Sequence, residues 1–400
     1  MMKIALVCPA SLPATQFGGI LFLAVDIANE LGKKGHEVVI FTTNLDFANN
    51  PHTFNKNLPK LEKIDNFTIN RSNVWFHQKL FYVNPNMYFE IKKFKPEIIH
   101  TIGLRSYQSL VASLISKFHN IPLIISDQGG LTTHPELKQG SQMKKILYAI
   151  QNPMIKFIVN QSSKIIVPNK YEKKIFENFG NRLKFEIIKN GINLKNIKDV
   201  GINFKDKNNI QNDYILFLGR FNKVKGVDTL IEAWNLINEK EICKKIKLVI
   251  MGVNFGFEKE MEFMINEKGL SDNIIIIKNP SREEVFAAYK ECLFLVLPSR
   301  WELSPLTPLE GFAFKKTVIS TTAHGIPHTL THDKNSILVE PENYEQLSSE
   351  IGNLLKNKDL RDNLAQNGFN LVQEECNSEK MAERVLKAYE KTLSEKESKE

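Results

Sequence analysis

A chain of 400 residues, 42% hydrophobic and 24% charged, has room for two or three domains of ~150 residues and fits neither a disordered nor a fibrous composition. Its apolar runs, such as Cys292 to Leu297 and Ile274 to Ile277, stop far short of the ~18 residues that a bilayer-spanning helix needs. The formal net charge of +8 is uneven: residues 1–200 hold 26 Lys+Arg against 14 Asp+Glu, and residues 201–400 hold 27 against 31, giving +12 and −4. A basic half points to an anionic partner, whether nucleic acid, a membrane surface or a phosphorylated substrate, or simply to a lysine-rich composition. No aromatic-interleaved basic cluster supports nucleic acid.

The chain opens on Met-Met-Lys, the apolar run Ile4 to Cys8 and then Pro9. That run is too short for a signal-peptide core, so a cytoplasmic protein is expected. Strand Lys3 to Cys8, a loop through Phe17, helix Gly19 to Leu31, a turn at Lys34-Gly35 and strand Glu37 to Phe41 make one βαβ unit. The pattern returns as strand Ile98 to Thr101, helix Tyr107 to Lys117, strand Leu123 to Ser126, a long helical stretch and strand Lys164 to Val167. Residues 190–213 turn polar and rich in Asn, Lys, Asp and Gly, the composition of an exposed connection.

A second series follows: strands Tyr214 to Leu218, Lys247 to Met251, Ile274 to Ile277, Cys292 to Leu297 and Thr317 to Ser320, alternating with helices Val227 to Asn238, Glu258 to Lys268, Arg282 to Lys290 and one from Pro308. Alternating strands and helices predict doubly wound parallel sheets, with ligands outside the carboxyl ends of the strands. Two such α/β domains are expected to face each other across a cleft. The predicted division is 1–189, a linker 190–213, 214–375, and a terminal segment 376–400 carrying an amphipathic helix, Ser378 to Leu393, and a charged tail. Cys8, Cys243, Cys292 and Cys376 are dispersed, with no C-x-x-C, so reduced core thiols are expected rather than a disulfide framework or a metal site.

Four segments carry candidate chemistry. Gly18-Gly19 opens the first helix, where backbone N–H groups and the helix dipole favour a phosphate; a tight turn explains the same glycines. Arg220 and Lys225 follow the strand Tyr214 to Leu218, where a fork-shaped cation and a point charge can grip a diphosphate, or can be solvated surface charges. Glu302 and Glu310 stand eight residues apart after an apolar strand, Glu302 on a loop and Glu310 in the following helix. Such acids can accept from sugar or ribose hydroxyls, while the N–H groups of Leu306 and Thr307 can hold phosphate oxygens. A glycosidase acid pair is the competing reading, and it leaves Arg220 and Lys225 without a task. No G-x-G-x-x-G occurs, which disfavours a nicotinamide or flavin cofactor.

Taken together and in order, Gly18-Gly19, Asn190-Gly191-Ile192, Gly219-Arg220 with Lys225-Gly226, and Glu302-x7-Glu310 resemble the family 4 retaining glycosyltransferases, most specifically from Tyr214 to Glu342. The resemblance implies a GT-B architecture of two Rossmann-like domains, with the acceptor on the first, the nucleotide-sugar on the second and a last helix returning to the first. It implies a donor-diphosphate clamp from Arg220 and Lys225, ribose binding by Glu310, and a place near the transferred sugar's hydroxyls for Glu302. Gly18, Gly19, Asn190, Leu306 and Thr307 complete the implied donor site, and Asp127 and Gln128 the acceptor side.

Three departures from the family pattern stand out. The stretch Ser126-Asp127-Gln128-Gly129-Gly130 has Gln128 where the family usually has a histidine, and glutamine cannot shuttle a proton. Leu303-Ser304-Pro305 replaces the common Gly-Phe-Gly, and His324-Gly325-Ile326-Pro327-His328 replaces a Gly-Gly-Ile-Pro-Glu-like segment.

The expected reaction is transfer of a sugar from a nucleoside-diphosphate sugar to an acceptor hydroxyl on a glycan or lipid, with retention. No Asp-x-Asp occurs, so side-chain cations and helix amides are expected to replace a metal, and no further cofactor is implied. Alternatives are a catalytically silent nucleotide-sugar-binding protein and a nucleotide-sugar epimerase. A face with Lys138, Lys144, Lys145 and Lys156 among Ile146, Leu147, Tyr148, Ile150, Met154 and Phe157 reads either as contact with an anionic membrane or as a lysine-flanked core helix.

Overall fold

The computed structural model describes residues 1–46, 53–78, 81–128, 142–180, 183–197, 201–238 and 245–398. The chain divides into two compact units, Met1–Gly191 with Ser378–Glu400, and Ile192–Asn377.

In the first unit the elements run β1 (Lys3–Val7), α1 (Gly19–Lys33), β2 (Glu37–Thr43), β3 (Leu61–Ile64), β4 (Phe67–Ser72), β5 (Phe76–Gln78), β6 (Phe81–Val83) and α2 (Asn86–Phe94). Next come β7 (Ile98–Ile102), α3 (Tyr107–His119), β8 (Leu123–Ser126), α4 (Gln142–Gln161), β9 (Lys164–Val167), α5 (Lys170–Glu177) and β10 (Phe185–Ile187). Eight strands form one sheet in the order β10-β9-β8-β7-β1-β2-β4-β3. It is parallel except at its edge, where β3 runs against β4. Ile4 to Val7 and Leu123 to Ile125 are completely buried, as strands must be when helices cover both faces of a sheet. Local signals set the helix ends: Ser106 caps α3 by accepting from Ser109 N–H, and Asn120, at φ 51°, closes it.

The second unit holds α6 (Phe204–Lys207), β11 (Asp213–Phe221), α7 (Val227–Asn238), β12 (Ile246–Asn254), α8 (Glu258–Glu267), β13 (Ile274–Lys278) and α9 (Arg282–Glu291). After these come β14 (Phe294–Val296), α10 (Leu306–Ala313), β15 (Thr317–Thr321), β16 (Ile337–Val339), α11 (Tyr344–Lys356) and α12 (Lys358–Glu374). Its wholly parallel sheet has the order β13-β12-β11-β14-β15-β16. The direction of strand addition reverses between β11 and β14, so a crevice opens there at the carboxyl ends.

The segment 190–213, expected as an exposed connection, departs from that reading. From Ile192 on it belongs to the second unit, and Phe204 (0% exposed) and Ile210 (4%) enter that unit's core. The carboxylate of Glu291 accepts from the N–H groups of Phe204 (2.8 Å) and Lys205 (2.9 Å), satisfying the start of α6. Two apolar anchors among Asn and Lys suffice to bury a segment whose average composition is polar. The helix predicted from Pro308 begins at Leu306. Strands β3, β5 and β6 and helix α2 escaped the sequence pattern because they are short and partly exposed, with β5 exposed at all three residues, and β4, though buried, is masked by its polar Thr68, Asn70, Arg71 and Ser72.

The last helix, α13 (Ser378–Glu397), belongs to the first unit. Its Met381, Ala382, Val385, Ala388 and Tyr389 share a core with Leu23, Ala24, Ile27 and Leu31 of α1. One polar link crosses this core: His100 Nδ1 pairs with Tyr389 Oη (2.7 Å) and His100 Nε2 with Ser126 Oγ (2.8 Å). Burial pulls the His100 imidazole down to about 3, so the ring is neutral, with one nitrogen donating and the other accepting. Tyr389→Phe strands the Nδ1 position in an apolar core, and chemical denaturation should show a loss of about 1–3 kcal/mol. An unchanged midpoint would mean that the bond contributes nothing to docking of α13.

Candidate functional site

At the crevice between β11 and β14, a small pocket is lined by Leu218, Lys225, Ser299, Glu302, Pro305 and Thr307, with Ser320 from β15 beside them. Lys225 lies in a short 3₁₀ turn (Lys223–Lys225) capped by the Asn222 side chain, which accepts from Lys225 N–H (3.0 Å). The next residue, Gly226, has φ 69°, and a Cβ there would sit 2.0 Å from the carbonyl oxygen of Pro298. A glycine is therefore required for the turn after β11 to lie against the strand exit of β14.

Across the pocket, Lys225 Nζ forms an ion pair with Glu302 Oε1. Both side chains are largely shielded, at 26% and 14% exposure, so the pair is screened less than a surface one. The loops that carry the two charges are tied by Arg300. Its guanidinium holds Asp228 through both terminal nitrogens (2.6 and 2.9 Å), Thr229 Oγ1 (3.1 Å), Glu342 (2.8 Å) and the carbonyl of Lys223. Its own N–H donates to the carbonyl of Val224 (2.8 Å). Burial, the largest single influence, lowers the Arg300 pKa, and the hydrogen bonds that the guanidinium donates to the Asp228 and Glu342 carboxylates outweigh it and raise the pKa above its ordinary value. One planar fork thus joins the turn before α7 to the loop after β14. Arg300 was missed in the sequence because its partner Asp228 stands 72 residues earlier.

Pro305 occupies the N-cap of α10 and supplies no side-chain hydrogen bond, so the first amides of this helix, Leu306 and Thr307 among them, lack an intrahelical acceptor. Arg220, near the end of β11, stacks its guanidinium 4.5 Å from the centre of the Phe255 ring. Glu310 follows a different course. Buried at 8% exposure, it accepts from Arg282 through Oε1 and from Tyr289 Oη through Oε2 (2.9 Å), and Arg282 in turn stacks on Phe286 at 4.5 Å. Both oxygens already have a protein donor, and the residue does not line the Lys225 and Glu302 pocket; each carboxylate oxygen retains capacity for a second donor. Neither Arg282 nor Tyr289 carried a sequence signal, since both sit on an ordinary amphipathic helix.

In the first unit, Gly18 takes φ 106° as the N-cap of α1 and Gly19 begins that helix, beyond the carboxyl end of β1. Asp127 and Gln128 follow β8, and the Gln128 amide pairs with that of Asn190 through two bonds of 2.9 Å. Asn190, expected on the donor side, is thus placed against the predicted acceptor residues. Asp127 is 2% exposed, and its Oδ1 accepts from Leu104 N–H (3.1 Å). Gly129, Gly130, Lys138 and Cys243 lie outside the described residues, as do the side chains of Lys144, Lys145, Ile146, Leu147, Tyr148 and Ile150. Among the described residues, no helix is long and apolar enough to cross a membrane.

Residues 17–196 match the family described as Glycosyltransferase Family 4, and residues 202–371 match Glycosyl transferases group 1. An uncharacterised glycosyltransferase of Methanocaldococcus jannaschii is 34% identical over 214 residues, which is 53% of this chain and 55% of that protein. The N-acetyl-alpha-D-glucosaminyl L-malate synthase of Bacillus anthracis is 21% identical over 97% of this chain and 96% of its own length. Among solved structures, a sucrose-phosphate synthase from Thermosynechococcus elongatus gives a TM-score of 0.78 at 19% identity, covering 98% of this chain and 100% of the other. An Anabaena protein solved in complex with UDP and glucose gives 0.74 at 16% identity, again over 98% and 100%.

The fork at Arg300 makes a measurable demand. Arg300→Lys keeps the charge but cannot hold Asp228 bidentately, and unfolding should register about 1–3 kcal/mol of lost stability. Gly226→Ala, which drives a methyl into the Pro298 carbonyl, should destabilise by at least as much. Wild-type denaturation curves for both variants would show that the two loops do not depend on this junction.

Proposed function

Since the chain belongs to the group 1 glycosyltransferases of family 4 type and has the GT-B fold, we propose that it transfers a hexose-like sugar from a nucleoside-diphosphate donor held at the Lys225 and Glu302 pocket. The observation that carries this reading is the shielded ion pair of those residues at the carboxyl-end crevice of the second unit. A diphosphate entering there meets Lys225, the uncapped amides of α10 and the nearby guanidinium of Arg220. As Lys225 turns to phosphate, the Glu302 carboxylate is released to accept from hydroxyls of the sugar.

In the proposed reaction the bond between the anomeric carbon and the diphosphate oxygen breaks, and the electron pair leaves with the diphosphate. The acceptor oxygen bonds to the same face of the sugar, and its proton passes to the departing phosphate, which gives retention. Fixed cations and helix amides stabilise the growing negative charge, so no divalent metal is required. Asp127 and Gln128 stand on the acceptor side, for a sugar or lipid-linked hydroxyl. Contact with an anionic membrane is proposed for the face of α4 that carries Lys156 and Phe157, beside which Lys117 Nζ lies 5.6 Å from the Phe157 ring centre.

A second reading, a nucleotide-sugar-binding protein without turnover, draws on Gln128, whose amide is already paired with Asn190. Release of nucleoside diphosphate separates the two. A panel of nucleotide sugars screened by thermal unfolding should single out one donor, with about 2.7 kcal/mol of stabilisation at ~100 times its dissociation constant. With that donor, Lys225→Ala and Arg220→Ala should each lower kcat by ~10²–10³, equivalent to ~2.7–4 kcal/mol. Full turnover in both variants, or in the presence of a chelator only when metal is added back, would refute the clamp.

A further inference from the structure

The first unit exposes aromatic side chains that the reaction above does not use. Trp75 and Phe76, on the ribbon formed by β5 and β6, are 70% and 61% exposed, and Phe89 of α2 is 68% exposed. Aromatics of this size left in water within one short segment mark a surface that meets a partner.

The ribbon that displays them is firmly rooted. Tyr82 of β6 is completely buried, and the Gln108 amide donates to the Tyr82 carbonyl and to Asn84 Oδ1, both at 2.8 Å. Val74 N–H donates to Asn44 Oδ1 (3.1 Å), and Trp75 N–H to the Val83 carbonyl (2.9 Å). A two-stranded ribbon is marginal on its own, so these ties hold Trp75 and Phe76 out in solvent.

The exposed charge of this stretch has one sign. Lys92, Lys93 and Lys95 are exposed, and Lys92 and Lys93 stand one turn beyond Phe89 on α2. Glu90, the one acid of residues 66–95, is turned inward: its carboxylate takes Ser72 Oγ and Lys60 Nζ (2.9 Å) and is 11% exposed. Consecutive residues of a ribbon point to opposite faces, so Trp75 and Phe76 are displayed on both sides of it. A sugar ring or a protein patch covers one side. A fluid lipid interface takes both, and negatively charged headgroups complement the three lysines.

We propose that the ribbon of β5 and β6, together with α2, docks on the interface of an anionic bilayer, with Trp75, Phe76 and Phe89 entering it and Lys92, Lys93 and Lys95 meeting its headgroups. This element is separate from the α4 face that carries Lys156. The ribbon follows the carboxyl end of β4, the end of the parallel sheet at which Asp127 and Gln128 also lie. Docking there suits a lipid-borne acceptor, and that consequence alone rests on the transferase reading.

The chain carries its own probe. Of its three tryptophans, Trp234 is 0% and Trp301 8% exposed, so Trp75 is the one that solvent reaches. With vesicles of phosphatidylcholine and phosphatidylglycerol, the full chain should co-sediment, its emission should move to the blue, and acrylamide should quench Trp75 less. Trp75→Phe should remove the optical change and keep the binding. Trp75→Ala combined with Phe76→Ala should weaken vesicle binding by about tenfold or more, at an unchanged denaturation midpoint because both side chains are exposed. Lys92→Glu combined with Lys93→Glu should abolish the preference for these vesicles over phosphatidylcholine alone. Wild-type sedimentation of the double-alanine variant, failure of the native chain to sediment, or full quenching of Trp75 on vesicles would each overturn the proposal. So would a blue shift produced by a soluble oligosaccharide without vesicles, which would assign the ribbon to a glycan. If Lys156→Glu alone releases the chain while Trp75 stays in water, the α4 face is the contact and the ribbon is not. A failed nucleotide-sugar screen refutes the transferase reading and leaves every one of these outcomes in force.

Discussion

Everything at the pocket depends on one guanidinium joining two loops that are distant in the chain and adjacent in space. A parallel sheet with a reversal in strand order puts the exits of β11 and β14 side by side, yet adjacency alone leaves two loops free to drift. Arg300 removes that freedom by engaging Asp228 with both terminal nitrogens while its backbone grips Val224. The close fit of Gly226 on Pro298 has the same effect through sterics. Lys225 and Glu302 meet because the backbones that carry them are already fastened, so the ion pair reports the geometry and does not create it. Placing charges on a fastened loop is preorganisation: the cost of orienting them is met during folding and not when a ligand arrives.

Three glutamates show how environment assigns different parts to one side chain. Glu310 is clasped by Arg282 and Tyr289, whose own phenol is driven far up by burial and by the neighbouring carboxylate. Glu302 keeps a cation as partner at the pocket. Glu172 is buried, and burial and the neighbouring Asp127 raise its carboxyl above the ordinary value. Glu302 faces the pocket, and each oxygen of Glu310 retains capacity for a second donor.

The fold was legible wherever the apolar period was strong. Strand Leu123–Ser126 and helix Val227–Asn238 have in the structure the bounds that their sequence pattern predicts. The failures are physical as well: β5 is short and exposed, so it carries no burial pattern to read, and Phe204 and Ile210 are two anchors lost in a polar average. Of the pocket, Lys225, Glu302 and the start of α10 were visible because residue type and local spacing announce them. Arg300 with Asp228, Arg282 with Glu310, and Glu172 with Gln128 were not, since each is a contact made by tertiary packing between residues 28 to 72 positions apart.

Net charge by halves does not report where the fold places individual charges. The basic excess lies in residues 1–200, whereas the shielded cation of the pocket lies in the mildly acidic second half. Exposed lysines contribute a diffuse potential that salt screens over about 8–10 Å, and several in the first unit are spent on local partners, as with Lys33 and Glu30 or Lys164 and Glu186. A single ammonium at 26% exposure, paired with Glu302 at the pocket, acts at short range with little screening. In the proposed donor site a phosphate would meet one charge placed by the fold, and a sum over the sequence cannot express placement.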